Sequence, residues 1–269
     1  MKRKIVAIGG GENGRVTLSG ARKPYELRKI DEEIIRLTGK TNPNFLFVGH
    51  AQNSPEYETL YFNTMKAIYG EIFDCDCKII MKKDLVTISG MTRSKLIEWA
   101  DVIYVGGGDT KGMIDFWHQT GFDKDLNNAY IKGKVLCGVS AGANCWFNMC
   151  SSDSLKIQSG NEKAPLIGLK CLNFINAFFA PHCNVANENE NRLLHMKEAL
   201  KECNLVGIGI SNCCAIEIIN EEYRLICCDA SNYGINAYGI KAYYKNGIYI
   251  TENIDNSIEF KQLSQLLKN

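Results

Sequence analysis

The stretch Lys134-Val135-Leu136-Cys137-Gly138-Val139-Ser140-Ala141-Gly142-Ala143-Asn144-Cys145-Trp146-Phe147 decides how the chain is read. It begins as a short apolar run of strand character, passes through Gly-x-Ser-x-Gly, and continues into residues that predict a helix. Strand, sharp turn and helix in that order form a nucleophile elbow. A serine there must take a strained turn so that its hydroxyl projects from the strand end. The residues two places either side must be small, because the strand and helix backbones nearly touch. Gly138 and Gly142 hold those places. The same turn aims the backbone N–H of Ala141 where an oxyanion can form. A tightly packed βα turn without chemistry is the other reading of these glycines.

Working outward toward the N-terminus, apolar strands alternate with amphipathic helices. Residues 4–8, Phe45–Val48, residues 72–81 and Asp101–Val105 read as strands; Tyr25–Leu37, a segment ending near Tyr69, Met91–Ala100, Lys111–His118 and Asp123–Ile131 read as helices. This alternation predicts an α/β fold with a doubly wound, mainly parallel sheet and helices on both faces. The turns Gly9–Gly14, Gly49-His50, Gly106–Thr110 and Gly138–Gly142 then share the carboxyl edge of the sheet, where ligands bind in such folds. A backbone donor in Gly106–Thr110 can pair with Ala141 N–H in an oxyanion hole. Asp109 in that turn is expected to cap the next helix, to face substrate, or both. His50 either touches substrate or packs in its loop. Gly9–Gly14 fits G-x-G-x-x-G, but the helix starts late and no acidic residue follows the second strand, so the context of a dinucleotide site is missing.

Beyond the elbow, residues 155–175 show little periodicity and are expected to include a mobile loop. An apolar run then delivers Pro181-His182 just before a polar stretch, which makes His182 a candidate general base. Glu190–Cys203 reads as a helix carrying His195. The strands Val206–Ile210, Cys214–Ile219, Arg224–Cys228, Ile240–Tyr244 and Ile248–Thr251 read as an antiparallel C-terminal extension, with an Asn246-Gly247 hairpin turn and a terminal helix Ser257–Lys268. A single domain over residues 1–269 is expected.

Composition removes several function classes. Thirty-one Lys and Arg balance thirty Asp and Glu, and no basic cluster stands out, so a nucleic-acid partner is not expected. No apolar run reaches membrane-spanning length, and the N-terminal apolar stretch is too short for a signal peptide, so no membrane partner and a cytoplasmic location are expected. The twelve cysteines lie mostly inside apolar segments and lack zinc-like spacing. Reduced thiols, no metal and no cofactor are expected.

Taken together, Val105-Gly106-Gly107-Gly108-Asp109-Thr110, Gly138-Val139-Ser140-Ala141-Gly142-Ala143-Asn144 and Ala180-Pro181-His182 resemble the dipeptidase E and cyanophycinase family of serine peptidases. The likeness runs from the first strand to about residue 228. It implies a flavodoxin-like sheet related to class I glutamine amidotransferases, with serine in place of the amidotransferase cysteine. It implies Ser140 as nucleophile, His182 as its base, and an oxyanion hole from the N–H groups of Gly108 and Ala141. The third member implied is an acid past the elbow helix, Asp153, with Glu162 in reserve. The expected partner is a small peptide, with an N-terminal aspartate or an aspartyl–arginine link as family substrates; a homodimer is left open. An acidic substrate needs a cation, for which Arg192 and Arg15 are the candidates. A catalytically silent binding protein on the same scaffold is the alternative of another class.

Overall fold

The computed structural model describes residues 1–17, 20–185, 191–229, 231 and 234–269. Its centre is a run of five parallel strands: β1 (Lys4–Ile8), β2 (Asn44–Val48), β3 (Asp76–Ile80), β4 (Val102–Val105) and β5 (Val135–Val139). They lie side by side in the order β3-β2-β4-β5-β1. Apart from the edge strand β3, these strands are almost wholly buried. That is why they read as unbroken apolar runs rather than as alternating ones.

Successive side chains of a strand point to opposite faces, and the two faces have different covers. Val6, Ile8, Phe45 and Phe47 pack under α1 (Arg28–Arg36) and α2 (Pro55–Tyr69), through Ile30, Ile34, Met65 and Tyr69. Ile5, Leu46, Val48, Ile103 and Leu136 pack on the other side. There they meet α3 (Lys82–Thr87), α4 (Gly90–Trp99), α5 (Thr110–Thr120) and α6 (Phe122–Ile131), through Leu85, Ile97, Met113, Trp117 and Leu126. The hairpin of β10 (Cys214–Ile219) and β11 (Glu222–Cys227) continues the sheet antiparallel beyond β1. It places Cys214 directly opposite Cys227; both are free thiols.

The region after the elbow departs from expectation. The elbow helix α7 is only Ala141–Asn144, and the chain turns at Cys145-Trp146 into β6 (Phe147–Ser152). The aromatic pair explains the early stop. Trp146 and Phe147 are fully buried, stacked on Phe174 and Phe179 with ring centroids 5.8 and 4.3 Å apart, and large aromatic rings suit a packed strand. The segment 155–175, which shows little periodicity in sequence and is expected from it to include a loop, contains most of α8 (Ser154–Ser159) and all of β7 (Ile167–Lys170). With β8 (Ile175–Pro181), β9 (Gly207–Ile210), β12 (Gly239–Lys245) and β13 (Ile248–Asn253), these strands form a second sheet, ordered β13-β12-β9-β8-β6-β7. Its parallel centre is β6, β8 and β9. The C-terminal strands therefore divide between two sheets instead of extending one. The β12–β13 hairpin turns through Asn246 and Gly247, at φ 52° and 77°, as a two-residue loop with both φ positive requires. α9 (Arg192–Glu202) lays Met196 and Leu200 against Phe178 and Ala242 of this sheet. The expected terminal helix shortens to α10 (Leu263–Leu266), after β14 (Lys261–Gln262) has paired at the outer edge of β11.

Candidate active site

β5 ends by delivering Ser140 at φ 56°, ψ −113°, a region that a residue with a side chain enters only when its surroundings enforce it. The enforcement is steric and hydrogen-bonded. Ser140 N–H donates to the Ile8 carbonyl at 3.1 Å, and the Ser140 carbonyl accepts from the N–H groups of Ala143 and Asn144 at 3.0 and 2.9 Å. A Cβ at Gly142 would overlap the Val105 carbonyl, and one at Gly138 would overlap the Gly142 carbonyl. Only glycine at both places lets the turn close this tightly.

The second sheet brings the partner. β8 pairs with β9, and just past its end the N–H of His182 donates to the Ile210 carbonyl at 3.1 Å. The imidazole Nε2 lies 2.9 Å from Ser140 Oγ, and Nδ1 lies 2.7 Å from Oδ1 of Asn212, just after β9. An amide oxygen only accepts, so Nδ1 carries the proton and Nε2 is left to accept from the serine hydroxyl. Asn212 is itself anchored: its N–H donates to Asn184 Oδ1 at 2.9 Å. The first glycine turn walls this pair. The Gly10 carbonyl accepts from Cys213 N–H at 2.9 Å. A Cβ on Gly10 would overlap both the His182 ring and the Asn212 oxygen. The glycines that matched a dinucleotide fingerprint thus lie against the His182–Asn212 hydrogen bond.

The third glycine turn closes the other side. A Cβ on Gly107 would stand 3.3 Å from Ser140 Cβ, so its backbone packs along the serine side chain. Gln52 Nε2 donates to the Gly107 carbonyl at 2.6 Å and holds the turn. The backbone N–H groups of Gly108 and Ala141 have no protein acceptor among the described residues. They are therefore available to a negative oxygen.

The family model for peptidase family S51 matches residues 16–226. The chain belongs to peptidase family S51. It is a serine-type peptidase, a hydrolase. It is 26% identical over 238 residues to an uncharacterized peptidase, YgaJ, of Bacillus subtilis (strain 168), covering 88% of this chain and 92% of that protein. Among solved structures it is similar to a peptidase from an acI-B1 Actinobacterium, at TM-score 0.66, 16% identity and 96% coverage of both chains. It is also similar to a putative peptidase E protein from Listeria monocytogenes EGD-e, at TM-score 0.58 and 17% identity, over 84% of this chain and 99% of that one. At those identities the two structures speak for the fold alone. Among the described residues, no helix is long and apolar enough to cross a membrane.

Other residues that the sequence suggested for this S51 peptidase stand elsewhere. Asp153 is not the partner of His182: its carboxylate faces the Arg192 guanidinium at 3.2 Å. Arg192 is 5% exposed and also donates to the Ser151 carbonyl at 2.6 Å. With Nη1 and Nη2 both engaged and the side chain buried, it staples the start of α9 to the β6–α8 turn rather than standing open to an acidic substrate. Glu162 pairs with Lys156 on the surface. Asp109 caps α5, with one oxygen on Gly112 N–H at 3.1 Å and the other on Gln158 Nε2 at 2.8 Å; both oxygens are used within the fold. His50 is fully buried, accepts from Trp117 Nε1 at Nδ1 and donates from Nε2 to the Ile80 carbonyl, both at 2.9 Å. Burial pushes it down to about 3. Asn212 is the residue that sequence reasoning passed over. Its signal was a polar Ser211-Asn212 between two apolar strands, at a strand's carboxyl end, where ligand-facing residues gather.

Proposed function

We propose that this chain hydrolyses small peptides by acyl transfer to Ser140, with His182 as general base and Asn212 orienting the imidazole. The observation that carries the reading is the 2.9 Å approach of His182 Nε2 to a serine hydroxyl held in a strained elbow. His182 takes the hydroxyl proton as the oxygen attacks the amide carbonyl. The N–H groups of Ala141 and Gly108 receive the oxyanion, and the imidazolium returns its proton to the leaving amine. Water, deprotonated by the same imidazole, then releases the acyl group. Among the described residues, the group at Nδ1 in this reading is an amide. It fixes the tautomer, as a carboxylate would, but it adds no negative charge beside the imidazolium. The reading is tested by hydrolysis of a dipeptide panel by the wild type, Ser140→Ala and His182→Ala. Either substitution is expected to lower kcat by about a thousandfold or more; a Ser140→Ala protein that hydrolyses normally contradicts it.

A further inference from the structure

A cavity of about 350 Å³ opens beside the candidate nucleophile. We infer that it receives the substrate side chain next to the attacked carbonyl, and that it selects an apolar side chain over an acidic one. The inference rests on Ser140 being the nucleophile. Two boundaries tie the cavity to the chemistry. Gly107 lines it and packs along the Ser140 side chain; Gly11 lines it, next to the Gly10 that abuts His182 and Asn212. A chain whose carbonyl sits at Ser140 can therefore reach the cavity with its adjacent side chain.

The lining decides what fits. Val16, Tyr57 and Leu60 are 44%, 48% and 43% exposed, three of the large apolar side chains that the fold leaves to solvent, and all three face this one cavity. Tyr61, tilted against Phe47 with ring centroids 5.0 Å apart, adds an aromatic wall. Large apolar groups left exposed together mark a binding surface. The single cation in the described lining is Arg15, and it is already neutralised: Nε and Nη2 reach the two oxygens of Glu12 at 2.8 and 3.0 Å. Residues outside the described ones include no Lys or Arg. An aspartate side chain entering here would meet the apolar groups, the Glu12 carboxylate and the uncharged Asn13, Thr17, Gln52 and Thr64, with no unpaired cation in the described lining to offset any hydration it gives up. A leucine or phenylalanine side chain would cover exposed apolar surface, which is favourable.

The test is kcat/KM for leucyl, phenylalanyl and aspartyl p-nitroanilides with the wild type, Leu60→Arg, Glu12→Gln and Ser140→Ala. The wild type is expected to prefer the leucyl or phenylalanyl substrate by about tenfold or more. Leu60→Arg places an unpaired cation in the cavity, and Glu12→Gln releases the one already there; each is expected to move the aspartyl-to-leucyl ratio upward by about tenfold. A wild type that prefers aspartyl substrate, or an unchanged ratio in both variants, overturns the inference while leaving Ser140 in place. A Leu60→Arg protein whose ratio is unchanged but whose oligomeric mass falls overturns it too, in favour of a second copy on this face. Full turnover in Ser140→Ala removes the nucleophile and the pocket together.

Discussion

His50 follows β2 and His182 follows β8, and in both rings the two nitrogens are hydrogen-bonded. The partners differ in kind. His50 lies between a backbone carbonyl and an indole N–H, among Phe116, Trp117 and Phe122; neither partner can react, and the neutral ring is a peg in the core. His182 lies between an amide oxygen and a serine hydroxyl, and one of those can be deprotonated. A histidine at a strand end is therefore not informative by itself. What separates a base from a peg is the pair of groups the fold brings to its nitrogens, and those come from Ile80 and Trp117 in one case, Ser140 and Asn212 in the other.

The sharpest way to break this comparison is to remove each ring. His182→Ala is expected to lower kcat by about a thousandfold, with the melting temperature nearly unchanged. His50→Phe is expected to keep kcat within about threefold but to lose stability, at about 1–3 kcal/mol for each polar group left buried and unpaired. Its pH profile should change as well. Because burial depresses His50 to about 3 from an ordinary 6.5, the unfolded chain binds the proton first. The wild type therefore loses stability as pH falls from about 6.5 toward 3. Thermal melts across that range should show a shallower fall in His50→Phe; an identical slope would contradict the assignment.

A second variant sharpens the difference at Nδ1. Asn212→Asp puts a carboxylate where the amide stands, and a negative charge there favours the imidazolium. The acid limb of kcat/KM is expected to move to higher pH by about one unit, since only the neutral ring can accept the serine proton. A limb that stays put would mean that residue 212 does not face the base. The smallest effect is expected at the acid that sequence spacing suggested. Asp153→Asn should change kcat/KM by less than about threefold and act mainly on stability, because the pair it breaks holds the buried Arg192 at the start of α9. A larger loss would return Asp153 to the catalytic machinery.

The parallel core was legible because its signal is local: buried strands are continuous apolar runs, and the glycine turns after them mark one edge. The elbow was legible for the same reason, since Gly138, Ser140 and Gly142 carry their constraint within five residues. The second sheet was hidden. β6 follows only two residues after α7, and its strand character depends on Phe147 meeting Phe179 more than thirty residues later. Asn212 was hidden by a related cause. An acid near the elbow looks like the natural third member, but Asp153 had a stronger partner in Arg192, whose burial no local pattern announces. Arg192 and Asp109 looked like substrate ligands because charge near a site invites that role, yet Arg192 is engaged through both terminal nitrogens and Asp109 through both oxygens inside the fold.

The central claim is that Ser140 is an activated nucleophile. Intact mass after treatment with a fluorophosphonate, measured beside a Ser140→Ala control, tests it most directly. One adduct on the wild type and none on Ser140→Ala is the predicted result; an unmodified wild type, or an equal adduct on Ser140→Ala, would contradict it.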